Sequence, residues 1–222
     1  MVNIINKDSK LAVIAIDLHR GHLDPEVATM PLPAEQSDVV IEANKRFFGE
    51  CRNLNIPIIH VLTLYRNKEE ILSNPAWRFK SEDPNATRNN VANHNLIGMP
   101  GTEIIPELLK EGDHVVDTKK RYNCFRSTDL EFLLHSLEVD TILLTGVNTN
   151  SCVLATTVDG SVKDFNAIVI EDCVDTMDGE ELHEAALKVI STAFGWVRSS
   201  SEVIELVKSL QKGSGKNEYR HA

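Results

Sequence analysis

Apolar and polar positions along the chain fall into two kinds of block. The first kind is a short, continuous apolar run. Residues 11–16 (LAVIAI), 56–62 (IPIIHVL), 141–144 (TILL) and 167–171 (AIVIE) have this form. Runs of this length, with polar or turn residues close by, predict strands buried on both faces. Shorter strands are expected at 114–117 and 196–198. The second kind has helical spacing. Over 34–55, Val39, Val40, Ala43, Phe47, Cys51 and Leu54 fall on one side. Further helices are expected at 104–110, after Cys152, at 180–194 and at 201–212. Another is expected from 128 to 137, where Thr128-Asp129-Leu130-Glu131 has the form of a capping box. Strands and helices alternate, which predicts an α/β fold: a mainly parallel sheet of about six strands in a three-layer α-β-α arrangement. Residues 1–212 read as one domain and 213–222 as a flexible polar tail. The segment 65–98 has little periodicity and is long for a connector, so it is expected to act as a lid or an interface.

Composition narrows the partners. The chain has 222 residues and a net charge of -10, with no basic cluster, so nucleic acid is not an expected partner. No run of about 18 apolar residues suggests a membrane span, and the first residues lack an apolar signal core, so a cytoplasmic location is expected. The four cysteines, Cys51, Cys124, Cys152 and Cys173, are widely spaced and form no C-x-x-C pair. Reduced thiols are expected rather than a disulfide framework or a zinc ribbon.

Familiar phosphate-binding and nucleophile-elbow motifs are missing: there is no G-x-x-x-x-G-K-[ST], G-x-G-x-x-G or G-x-S-x-G. His183-Glu184 is followed by Leu187 where a zinc helix needs a second histidine. His19 and His22 offer a metal set with Asp17 or Asp24, but their spacing is irregular.

Three residues stand at the carboxyl ends of three expected strands: Asp17, Lys119 and Cys152. Ligands of open parallel sheets bind beyond those ends. Taken singly, Asp17 reads equally as a turn residue and Lys119 as a solvated charge. Cys152 reads as a small buried apolar residue, or as a thiolate favoured by the start of a helix. Taken together, a carboxylate can accept the thiol proton, an ammonium can stabilise the anions, and the sulfur can act as nucleophile.

The stretches AVIAIDLHRGHLD, KKRYNCFRSTDLEFLL, TILLTGVNTNSCVLATTVDG and AIVIEDCVDT resemble the isochorismatase-like cysteine hydrolases. That superfamily includes nicotinamidases, N-carbamoylsarcosine amidase, and biuret and ureide hydrolases. The resemblance implies a Rossmann-like fold and a catalytic triad of Asp17, Lys119 and Cys152. Lys119 is preferred to Lys120 because the family spacing is K-x-x-Y and Tyr122 follows. It also implies a cis peptide at Val147–Asn148, an oxyanion hole from the amides of Asn148 and Cys152, and a homodimer or homotetramer. His19 stands where the family often has Gln or Asn, and Asn123-Cys124-Phe125 where it often has S-A-F. Both departures reshape the expected pocket. His19, Trp77, Arg78, Tyr122 and Phe125 are its candidate substrate contacts. The Asp-x-His-Pro metal pattern of nicotinamidases is absent from residues 61–66, so no metal or other cofactor is expected. Retention of the cysteine implies C–N bond hydrolysis of a small amide or ureide. A nicotinamidase-like aromatic amidase and a catalytically silent binding relative are the alternatives.

Overall fold

The computed structural model describes residues 4–214. The tail expected from residue 213 lies, beyond Ser214, outside the described residues. Six strands form one sheet: β1 (Leu11–Ile16), β2 (Ile58–Thr63), β3 (His114–Lys119), β4 (Thr141–Val147), β5 (Asn166–Asp175) and β6 (Trp196–Arg198). Their order across the sheet is β3-β2-β1-β4-β5-β6, and every neighbouring pair is parallel. The three-layer α/β expectation therefore holds. The helices in chain order are α1 (Arg20–Leu23), α2 (Ala34–Asn53), α3 (Lys68–Leu72), α4 (Pro75–Glu82), α5 (Leu130–Ser136), α6 (Leu154–Val162), α7 (Glu180–Val189) and α8 (Ser200–Ser214).

The continuous apolar runs are explained by a core on each face of the sheet. Side chains alternate along a strand. Val13 and Ala15 of β1 face a cluster with Phe47 and Phe48 of α2 and Val203 and Val207 of α8. Ala12, Ile14 and Ile16 face the opposite cluster, with Leu130 and Leu134 of α5 and Val153 at the approach to α6. Both faces are buried, and no polar residue interrupts the β1 run.

Two expected helical features are corrected. Residues 104–110 form no helix. Ile104 bridges to His19 in antiparallel fashion and turns follow. The capping box at 128–131 does not form either. The Thr128 hydroxyl donates to the Cys124 carbonyl at 2.6 Å, and Asp129 caps α5 without a side-chain bond. The aperiodic segment 65–98 contains the short helices α3 and α4. These are too short to show a repeat in sequence.

Candidate active site

β1 ends abruptly at Asp17, whose φ of 52° turns the chain out of the sheet. Aspartate tolerates this left-handed conformation better than most residues. The Asp17 amide donates to the Val61 carbonyl at 2.9 Å, which fixes the turn to β2. Its side chain therefore points across the ends of the neighbouring strands. One carboxylate oxygen accepts the Thr63 amide at 2.9 Å, and the other accepts the Lys119 ammonium.

Lys119, the last residue of β3, is fully buried. Its ammonium donates to Asp17 and to the Thr63 hydroxyl, and lies 3.3 Å from the Cys152 sulfur. An ammonium has three donors, and these three partners account for all of them. Cys152 belongs to a wide helical turn, Thr149–Val153, that leads into α6. The Val147–Asn148 peptide just before it is cis. Gly146 makes the approach possible. Its φ is +102°, and a Cβ there would stand 2.0 Å from the Ile16 carbonyl oxygen.

A second network braces the turn. Asn148 accepts the Met177 amide at 2.9 Å through its side-chain oxygen. Asp178 accepts from Arg88, from Asn150 at 2.8 Å and from Thr87 at 2.8 Å. Arg88 also donates to the Ser151 hydroxyl at 3.1 Å. The Arg88–Asp178 pair is buried, with both side chains 7% exposed.

Burial and charge act against each other here. For Asp17, burial raises the carboxyl pKa, but the Lys119 charge and hydrogen bond outweigh it and leave it well below the usual range. For Lys119, burial favours the neutral amine, but Asp17 and Cys152 hold it charged. For Cys152, burial pushes the thiol up to about 11 despite the nearby ammonium. Burial and the ammonium thus act on the Cys152 thiol in opposite directions, beside the Asp17–Lys119 ion pair. The shift runs against the thiolate that a helix start favours, because burial is the largest influence on the Cys152 thiol.

Asp17, Lys119 and Cys152 line one narrow cavity with Trp77, Tyr122 and Arg88. Its free volume is about 30 Å³, room for one or two waters. A wider cleft of about 470 Å³ lies at the opposite, amino-terminal edge of the sheet, next to Leu11 and Pro57, and contains none of these groups.

The expected substrate contacts divide. Trp77 and Tyr122 meet in the cavity wall, where the indole donates to the Tyr122 hydroxyl at 3.0 Å. Arg78 lies outside it. Its guanidinium donates to the Leu72 carbonyl at 3.0 and 3.2 Å, because successive residues of α4 face different sides. Phe125 is also outside, stacked on Phe165 at 5.8 Å within the core. His19 is fully buried behind Asp17, 3.8 Å from its carboxylate, and does not line the cavity. Thr63, Arg88 and His94 line the cavity but were not singled out by the sequence. Thr63 looks like an ordinary strand residue, and the other two lie in the aperiodic segment.

Comparison with known proteins agrees with this architecture. The isochorismatase domain model matches residues 11–202. The isochorismatase family protein YwoC of Bacillus subtilis (strain 168) is 30% identical over 212 residues, which cover 94% of this chain and all of YwoC. The ureidoacrylate amidohydrolase RutB of Methylobacterium radiotolerans is 34% identical over 125 residues, spanning 55% of this chain and 48% of RutB. Among solved structures, a cysteine hydrolase from Pseudomonas syringae pv. phaseolicola 1448A shares the fold, with a TM-score of 0.75, 24% identity and coverage of 93% of this chain and 95% of that one. With a domain match over most of its length and a full-length relative in the same family, the chain belongs to the isochorismatase family of hydrolases.

Proposed function

We propose that the chain is a cysteine amidohydrolase that cleaves a C–N bond of a small amide or ureide through a thioester. The observation that carries this reading is the single buried ammonium of Lys119, which touches both the Asp17 carboxylate and the Cys152 sulfur. Such a group stabilises whichever of the two is anionic as the proton moves between them.

The steps balance as follows. The Cys152 thiol gives its proton to Asp17 as the sulfur attacks the substrate carbonyl carbon. The carbonyl oxygen takes the electron pair and accepts from the amides of Asn148 and Cys152. One such donor is typically worth about 2.7–4 kcal/mol in the transition state. The tetrahedral adduct collapses, the C–N bond breaks, and Asp17 returns the proton to the leaving nitrogen. Water then gives a proton to Asp17 as its oxygen attacks the thioester. The thiol departs with that proton, leaving the acid. A thiol raised to about 11 fits a proton transfer coupled to attack better than a standing thiolate.

With room for only one or two waters, the cavity must widen to admit any amide, which favours small ones. The partial match to a ureidoacrylate amidohydrolase supports the ureide side of the class. Ammonia release should be measured across N-carbamoyl compounds, ureides, biuret-like compounds and aromatic amides, with wild type and Cys152→Ala in parallel. Turnover of at least one ureide or carbamoyl compound, lost in Cys152→Ala, is expected. Unchanged turnover in that variant would overturn the mechanism. Turnover restricted to nicotinamide-like amides would overturn the substrate class.

A further inference from the structure

Three histidines meet beside the triad, and the hydrolytic steps above use none of them. His19 and His22 come from the turn after β1, and His94 from the connection after α4. All three are buried. The ring centroids are 5.1 Å apart for His19–His22, 4.5 Å for His22–His94 and 5.6 Å for His19–His94. One ring nitrogen from each lies within 4.8 Å of the other two.

Their hydrogen bonds suit ligation. Nδ1 of His22 lies 2.7 Å from the Met30 carbonyl oxygen, and a carbonyl can only accept. Nδ1 of His22 therefore carries the hydrogen, and Nε2 keeps its lone pair. The Thr29 hydroxyl, 2.8 Å from Nδ1 of His94, can accept from Nδ1–H, the tautomer that leaves Nε2 its lone pair. Such outer bonds orient metal-ligating imidazoles. His19 has no partner at Nδ1, and its neighbour Asn95 has none at Oδ1. An Asn95 carboxamide turned so that Oδ1 accepts from His19 Nε2–H leaves Nδ1 of His19 as a free lone pair. That lone pair is then a buried polar atom with no protein partner, which calls for one.

We propose that His19, His22 and His94 form a three-imidazole site for a divalent transition ion of the zinc or cobalt type. Metal–nitrogen bonds of about 2.0–2.1 Å place tetrahedral ligands about 3.4 Å apart, so from nitrogens within 4.8 Å of one another binding would draw the rings closer. Imidazole sets of this kind suit zinc and its first-row neighbours. Three protein ligands leave a fourth position open, as in catalytic rather than structural sites. His22 and His94 line the cavity that holds Cys152. The fourth position would therefore take a neutral oxygen or nitrogen donor in that cavity, water or a substrate carbonyl. The set is not the Asp-x-His-Pro pattern, which the chain lacks. It also differs from the pairing of His19 and His22 with Asp17 or Asp24 considered from the sequence. Asp17 is held by Lys119 and Thr63, and Asp24 by Arg20.

The test is binding, independent of turnover. Metal-free protein without an affinity tag is titrated with Co²⁺, and the visible bands of four-coordinate cobalt are followed. One Co²⁺ per chain is expected. Cys152→Ala should keep the bands. His22→Ala and His94→Gln should weaken binding by more than about tenfold, while His135→Ala, on the surface of α5, should not. A wild-type measurement guards against misfolded variants. X-ray absorption of the zinc-loaded protein should give imidazole nitrogen scatterers and no sulfur. Absence of stoichiometric binding, loss of the bands in Cys152→Ala, sulfur in the zinc shell, or binding indifferent to His22 and His94 would each overturn the site.

Discussion

Lys119 joins Asp17 to Cys152: its ammonium donates to the carboxylate and lies 3.3 Å from the sulfur. All three side chains are buried. Removing the cation leaves Asp17 as an uncompensated buried charge, which costs about 3–5 kcal/mol. Lys119→Met is therefore expected to lose that much in urea denaturation and to be inactive. The double variant Asp17→Asn/Lys119→Met should recover most of the stability and none of the activity. A double variant no more stable than the single one would show that the pair does not carry the loss.

The four thiols should react with iodoacetamide in an order set by burial. Cys152 is raised to about 11, whereas Cys51 and Cys124 are raised to about 12. Only the thiolate reacts. Alkylation of Cys152 should be slow at neutral pH, rise about tenfold per pH unit and level off near pH 11, ahead of Cys51 and Cys124. Peptide mapping by mass spectrometry reads each site. A plateau already reached at neutral pH would mean a resting thiolate.

Arg88 and Asp178 hold residues 87–88, 150–151 and 178 together. Arg88→Met leaves Asp178 with only the neutral donors Thr87 and Asn150. A loss of about 3–5 kcal/mol is expected for breaking a buried pair, reduced in so far as those donors satisfy the carboxylate. Chemical denaturation measures it, and a loss under about 1 kcal/mol, the size of a surface pair, would contradict the bracing role.

Gly146→Ala places a Cβ 2.0 Å from a main-chain oxygen of β1 at a backbone angle that alanine rarely adopts. Strand β4 would have to leave its register with β1. The variant should fail to fold, seen as insoluble expression or lost circular dichroism. Gly112→Ala, also at positive φ but with nothing within 4 Å, should fold and be only mildly destabilised.

The sheet was legible because strands buried on both faces leave unbroken apolar runs, and Asp17, Lys119 and Cys152 stand just where such strands end. Arg88 and His94 were not legible. Their neighbours in space, Asp178 and His22, are distant in sequence, and no local period marks them. Arg78 and Phe125 were expected at the crevice by their position along the chain, next to Trp77 and near Tyr122. Adjacent positions on a short helix or turn diverge in direction, and one went to a carbonyl of its own segment, the other into the core. The capping-box pattern misled by one position: Asp129 rather than Thr128 is the N-cap of α5, so the Thr128 hydroxyl accepts the Leu130 amide at 3.3 Å and not that of Glu131.

The strand order carries a last consequence. Lys119 and Thr63 end β3 and β2 and Asp17 directly follows β1, so these three stand on a hydrogen-bonded lattice of about 4.8 Å per step, with Cys152 on the wide turn after the next strand, β4. Trp77, Arg88 and His94 instead hang on the long excursion between β2 and β3. Insertions and exchanges in that excursion can remodel what enters the cavity while the reacting groups keep their spacing. Diversification for new substrates should therefore begin with residues 65–98 and leave the strand ends untouched.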